Sequence, residues 1–407
     1  MSNQIRPYKV AVTEEAISTL RSKLQAATLP DEVEFSDDWD QGTPRSEIAR
    51  LAKHWADGFD WRAQEAEINR LPQFMTTVEL DGFGQIDMHS VHQKSEKKGS
   101  IPLLFSHGWP GSFLEVGKII PLLTRNADGL SFDVVAPSLP NFGFSGGSRQ
   151  RGFGIAQYAE AMHKVMLSLG YNKYVTQGGD WGFKVTRFMG IQYPNHCLAS
   201  HLNMILASEP DMVKHPKEYA QYNSVQQTAT EKQFAERTAW FMQEGLGYNI
   251  LQSTKPSTIG FALADSPVAL LAWIYEKLHD WTDNYPWTDD EILTWVSIYQ
   301  FSTAGPAANA RIYYDIQNSA ARPFSDQVLE YNDKVLLGLS YFPKDIHLPP
   351  LAWGKTLGPV VFEGVHESGG HFAAHERPDE LAKDLRSMFG AQGGAASVAA
   401  RFAGTKG

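Results

Sequence analysis

The sequence predicts an α/β fold in which a mostly parallel sheet is interrupted by a long helical lid and preceded by a helical leader. Three observations predict it. Short apolar stretches alternate with helical segments from 76 to 207, the strand rhythm stops from 208 to about 320, and it returns at 334–342 and 359–365. Strands separated by helices imply βαβ units, and such units build parallel sheets covered on both faces.

Residues 1–75 read as helical and loop-rich. Thr13 precedes Glu14 and Glu15, and Ile17, Leu20 and Leu24 recur at helical spacing. At Phe74 the period changes: FMTTVEL and QIDMHSVH, joined by Asp81-Gly82-Phe83-Gly84, predict a β-hairpin. IPLLFSHG (101–108), FDVVAPSLP (132–140), KYVTQGGD (173–180) and ASHLNMILA (199–207) follow as core strands of a first part, 76–207. The lid, 208–325, is helical and aromatic-rich, and Thr288-Asp289-Asp290-Glu291 is a capping box opening a helix with Trp295, Ile298 and Tyr299. KVLLGLSYF and PVVFEGV return the chain to the core, 326–391. The Gly- and Ala-rich tail, 392–407, is expected to fray.

Composition narrows the function. Of 407 residues 43% are apolar and 20% charged, enough for a full core. A net charge of −10 with both signs interspersed disfavours a nucleic-acid or anionic-membrane surface. The single cysteine, Cys197, permits no internal disulfide. Met1 to Val10 lacks a signal-peptide apolar run, and the most apolar stretch, Pro267 to Tyr275, is too short to span a bilayer. The expectation is a soluble, cytoplasmic protein.

Four segments carry chemistry. Gly178-Gly179-Asp180-Trp181-Gly182 follows a strand and has the small-x-nucleophile-x-small pattern of a nucleophile elbow, where the tight turn leaves no room for side chains at 178 and 182. The plain alternative is a Gly turn with an N-cap aspartate. His107-Gly108-Trp109-Pro110-Gly111-Ser112 ends an earlier strand where an α/β-hydrolase supplies one oxyanion-hole N–H, so the backbone amides of Trp109 and Trp181 are the expected pair. His371, in Gly369-Gly370-His371-Phe372, stands beyond the last strand where the base belongs, and that position with its flanking glycines sets it above an ordinary histidine among the thirteen. Asp345, after the strand ending near Phe342, is the expected acid, with Asp333 and Glu363 placed less well. The chain order nucleophile, acid, histidine is that of the α/β-hydrolase fold.

An aspartate nucleophile suits displacement at a saturated carbon, giving an ester that water cleaves at its own carbonyl. Epoxides and alkyl halides are the matching substrates. An epoxide oxygen needs donors that remain neutral at pH 7, for which phenols are suited. The lid offers Tyr248 and the adjacent pair Tyr313-Tyr314, of which at most one can point inward.

At this point the sequence resembles the microsomal-type epoxide hydrolases and their soluble fungal and bacterial relatives. The resemblance covers nearly the whole chain. It is carried by Trp55, Phe59-Asp60-Trp61-Arg62, Glu65, Ile68-Asn69, Pro72 and Phe74 in the leader, and by HGWPGSFLE (107–115), GGDWG (178–182), QSTKPSTIGFALADSP (252–267) and GGHFAAHERP (369–378). It implies that Asp180 attacks an epoxide carbon while Tyr248 and a second tyrosine, which the pattern puts at Tyr314, donate to the oxygen. Asp345 then matches the acid of soluble relatives; mammalian members have glutamate nearby. The product is a vicinal diol, and no metal or organic cofactor is expected. Mammalian members begin with a membrane anchor, which this sequence lacks, and carry serine where Phe183 follows the elbow. The leader is expected to wrap core and lid, and the architecture goes with a homodimer.

Two rivals share some features. A haloalkane dehalogenase also uses an elbow aspartate followed by tryptophan, and Trp109 would fit if its indole faced the pocket. A non-catalytic binding protein of the same fold would carry a broken triad. A serine esterase fails because no serine occupies the elbow. Trp273, Trp281, Trp287, Trp295 and Tyr299 suggest apolar or aryl substrates, with core packing as their plain alternative.

Overall fold

The computed structural model describes residues 5–125, 129–224, 226–318 and 326–403. Its strands are β1 (Ile5–Tyr8), β2 (Gln73–Leu80), β3 (Gly84–Gln93), β4 (Ile101–Ser106), β5 (Phe132–Pro137), β6 (Tyr174–Gly178), β7 (Cys197–Leu202), β8 (Leu336–Tyr341) and β9 (Val360–Val365). They form one sheet in the order β1-β2-β3-β5-β4-β6-β7-β8-β9. Pairing is antiparallel from β1 to β5 through β2 and β3, and parallel from there to β9. Every residue of β4, β6 and β7 is buried, as expected for strands covered on both faces by helices.

The hairpin forms with Leu80 opposite Gly84. β1 departs from the helical reading of the leader: Ile5 to Tyr8 pairs antiparallel with β2, Ile5 opposite Thr76. Three leader helices follow. Glu14–Gln25 is capped by Thr13, whose side chain accepts from the Ala16 N–H. Arg45–Asp57 comes next, and then Trp61–Ile68, capped by Asp60.

Between β7 and β8 the chain leaves the sheet. Helices Ala229–Trp240, Gly247–Thr254, Pro256–Asp265, Pro267–Asp280, Asp289–Gln300 and Arg311–Asn318 build the lid. Proline opens two of them, where its missing N–H costs no hydrogen bond. The Thr288–Glu291 capping box forms in full. The leader grips this lid: Arg50 pairs with Asp289, the His54 ring with Asp290 at 2.9 Å, and Thr43 donates to the Ala272 carbonyl at 3.0 Å. Trp61 packs against Phe301 with ring centroids 5.0 Å apart.

The tail expected to fray is ordered as far as it is described. Ala396–Ala403 is a helix that buries Val398 and Phe402, one turn apart. Residues 404–407 of the predicted tail lie outside the described residues. Among the described residues no single helix is long and apolar enough to cross a membrane.

Candidate active site

The carboxyl ends of β4, β6, β8 and β9 converge beneath the lid, the edge where open α/β sheets place their ligands. β6 runs into helix Trp181–Gln192 through Asp180, whose φ of 53° and ψ of −127° mark a strained turn. Two close approaches explain the flanking glycines. A Cβ on Gly182 would sit 2.0 Å from the Ser106 carbonyl oxygen, and one on Gly178 would sit 2.5 Å from that of Gly182.

The turn brings the Asp180 carboxylate against the two backbone amides expected from the sequence. The Trp109 amide donates to its Oδ1 at 2.8 Å, and the Trp181 amide also donates to the carboxylate. His107 sets the first donor: the Leu139 amide donates to its Nε2 at 3.1 Å, and its Nδ1 lies 2.9 Å from the Gly108 carbonyl. Lid side chains hold the same loop. The Trp295 indole N–H donates to the Pro110 carbonyl and the Tyr299 hydroxyl to that of Gly111, both at 2.6 Å. These lid aromatics are therefore packing and positioning groups.

The other Asp180 oxygen, Oδ2, lies 3.7 Å from His371 Nε2. His371 Nδ1 lies 2.8 Å from Asp345 Oδ1, and its own amide donates to the Trp281 carbonyl at 2.8 Å. Asp345 is fully buried just beyond β8. Burial pushes the Asp180 carboxyl above 3.8, opposed by His371 and the two tryptophan amides. Burial alone would lower the His371 imidazole, but Asp345 first, then Asp180 and Glu115, hold it above 6.5.

Glu115 escaped the sequence reading. Its Oε1 accepts from the Ser112 amide at 3.1 Å in a capping box, and burial pushes its carboxyl up to about 8. The Ser112-x-x-Glu115 spacing was the available signal. With Ser106, Gln177, Asn203 and His371 it lines a cavity of about 10 Å³ beside Asp180, room for about one water. The buried Ser106 Oγ and Gln177 Oε1 have no hydrogen-bond partner among the described residues.

Asp180 also lines a second pocket, of about 200 Å³, with Tyr248 and Tyr313. Its apolar walls include Met204, Leu206, Phe241 and Ile346. The tyrosine pair resolves against the expectation. Tyr313 is 1% exposed, its ring 5.8 Å from Tyr248 and 4.8 Å from Trp181, whereas Tyr314 is 37% exposed. Consecutive helical residues point about 100° apart, so Tyr313 turning inward sends Tyr314 outward. Burial and the nearby Asp180 charge raise both inward phenols, which stay protonated. Trp109 stacks on Tyr248 at 4.8 Å while its indole N–H donates to Asn309 at 2.9 Å, leaving that N–H unavailable to a halide.

A strained aspartate held by two backbone amides, faced by a buried His–Asp pair beneath a helical lid, defines an enzyme of the α/β-hydrolase fold. The chain matches the family model described as alpha/beta hydrolase fold over residues 101–239, and that described as epoxide hydrolase N terminus over 5–116. It belongs to the epoxide hydrolase family. Epoxide hydrolase 1 of Sus scrofa is 32% identical, the alignment covering 95% of this chain and 88% of the pig protein. The solved epoxide hydrolase of Aspergillus niger is 34% identical with a TM-score of 0.81, over 94% of this chain and 95% of that one. The juvenile hormone epoxide hydrolase of the silkworm Bombyx mori superposes with a TM-score of 0.85 at 26% identity, over 98% and 95% of the two chains.

Proposed function

We propose that the enzyme opens an epoxide through an ester on Asp180. The observation that carries this reading is the division of labour between the two carboxylate oxygens: Oδ1 accepts from the Trp109 amide at 2.8 Å, and Oδ2 lies 3.7 Å from His371, while Asp180 lines one pocket with Tyr248 and Tyr313. Oδ2 attacks an epoxide carbon, the carbon–oxygen bond breaks, and the departing oxygen takes a proton from Tyr248 or Tyr313. His371 then removes a proton from a water, which adds to the Asp180 ester carbonyl. The negative charge that develops on Oδ1 meets the Trp109 and Trp181 amides already in place. Collapse expels the second diol oxygen, which takes the proton of the hydrated ester as the carboxylate is restored, and the proton held by His371 returns to the tyrosinate. Asp345 orients the imidazole and stabilises its charged form.

A single turnover of styrene oxide in heavy-oxygen water with excess enzyme tests the route. The label is expected in the peptide bearing Asp180 and absent from the first diol. Label in the first diol would mean direct attack by water.

The lid also leaves Phe261, Ile250 and Met242 exposed at 80%, 57% and 54%, and the exposed face bearing Phe261 supports the reading of a homodimer. Sedimentation is expected to show a dimer that Phe261→Asp dissociates; an unchanged mass would refute that face as the interface.

A further inference from the structure

One cation on the wall of the catalytic pocket has no part in the proposed reaction. Lys184 stands one turn after Asp180 on helix Trp181–Gln192 and lines the same 200 Å³ pocket as Asp180, Tyr248 and Tyr313. Its ammonium lies 4.9 Å from the centroid of the Trp181 ring. It is partly buried, and it makes no hydrogen bond or ion pair with the described residues. Burial pulls its pKa below 10.5, opposed by Asp180 and Asp326. Neither aspartate is its partner. Asp180 is held by the Trp109 amide, and Asp326 is exposed and does not line the pocket. The remaining polar side chains on the lining are Asn249, Gln317 and His347, so Asp180 is its only carboxylate among the described residues. His347 is already engaged, its Nδ1 2.8 Å from the Ile205 carbonyl.

A partly desolvated ammonium facing a substrate pocket is costly to leave unpaired once a ligand displaces water. A charge-assisted bond to an anion removes that cost and fixes the ligand's direction. The lining offers one cation and two neutral amides, which matches a monoanion. Such an anion also needs local compensation to approach the Asp180 carboxylate, and Lys184 supplies it from one turn away. We propose that Lys184 is a specificity-determining residue that pairs with a carboxylate on the non-reacting end of the epoxide substrate. The assignment rests on the epoxide-opening reading of the site.

The test compares kcat/KM for para-carboxystyrene oxide and its neutral carboxamide, which has the same shape. The wild-type enzyme is expected to favour the carboxylate by about tenfold or more, since a site with a built polar partner discriminates against an analogue that leaves it unpaired. Lys184→Met is expected to bring that ratio to one or below, and Lys184→Arg to keep it above one. A wild-type ratio of one or less, or an unchanged ratio in Lys184→Met, overturns the proposal. Should Lys184→Met fail to fold, product inhibition of the wild-type enzyme decides: tighter inhibition by the carboxylate diol than by the carboxamide diol supports it, and equal inhibition overturns it. Turnover of styrene oxide with no carboxylate preference removes only the Lys184 assignment. No turnover of any of the three epoxides removes the epoxide-opening reading with it.

Discussion

In the proposed reaction the Tyr313 hydroxyl is one of two phenols that donate to the oxygen leaving carbon, and Tyr313→Phe removes that donor while keeping the ring against Trp181. Losing one preorganised donor costs about 10²–10³ in rate. Stopped-flow alkylation by styrene oxide is expected to slow by about that factor in Tyr313→Phe and to change less than about twofold in Tyr314→Phe, whose ring faces outward. The reverse order would return the role to Tyr314. The base makes a second prediction. His371 must be neutral to accept a proton, and Asp345, Asp180 and Glu115 hold its pKa above 6.5. The imidazole is protonated below that pKa, so ester hydrolysis is lost as pH falls through it. The acid limb of kcat is expected lower than the His371 pKa titrated in the free enzyme, because the ester removes the Asp180 charge. Asp345→Asn withdraws the largest attraction; the limb is expected to move down and the rate to fall by up to about 10⁴-fold, as when a triad histidine loses its orienting carboxylate. A limb unmoved by Asp345→Asn would show that another group titrates there.

The loop bearing Trp109 is held by an element from a different part of the chain. Helix Asp289–Gln300 sends the Trp295 indole and the Tyr299 hydroxyl to the carbonyls of Pro110 and Gly111. Tyr299→Phe leaves the Gly111 carbonyl unpaired beneath the lid, at a cost of about 1–3 kcal/mol. A lower thermal midpoint is expected, together with slower ester hydrolysis and a larger steady-state ester population by intact-protein mass. Unaltered ester levels would show that the loop keeps its shape without the lid. Such long-range contacts bound what the sequence could reveal. The strands of the core, the elbow and the order Asp180, Asp345, His371 were legible because apolar runs and tight turns are local signals. β1 was not, because four residues including a proline gain strand form only by pairing with β2, nearly seventy residues away. The tail misled through its glycines and alanines, whereas Val398 and Phe402 four residues apart carry the helical face. Tyr313 and Tyr314 differ only in the phase at which their helix meets the pocket, a tertiary quantity absent from any local pattern. Lys184 stood in plain view after the elbow, but its exposure to the pocket depends on the lid above it.

At the scale of the whole molecule the leader reaches past the core to hold the lid, and its contacts divide into two energetic kinds. Arg50–Asp289 and His54–Asp290 bridge leader and lid at partly exposed positions, where ion pairs contribute about 0–1 kcal/mol. Trp61 is 4% exposed, packs on Phe301 next to the lid helix, and its indole N–H donates to the buried Glu65 at 3.1 Å. Truncating a buried tryptophan costs about 3–5 kcal/mol, because the lost contacts leave a cavity that the surroundings fill only in part. If the leader fixes lid to core by packing, Trp61→Ala is expected to lower the thermal midpoint strongly, while Arg50→Ala changes it little. Where Trp61→Ala still folds, hydrogen exchange is expected to rise in helix Asp289–Gln300 and, through Trp295 and Tyr299, in the loop bearing Trp109. Exchange confined to the leader would mean that the lid holds that loop unaided, and the leader would then be an attachment without influence on the site.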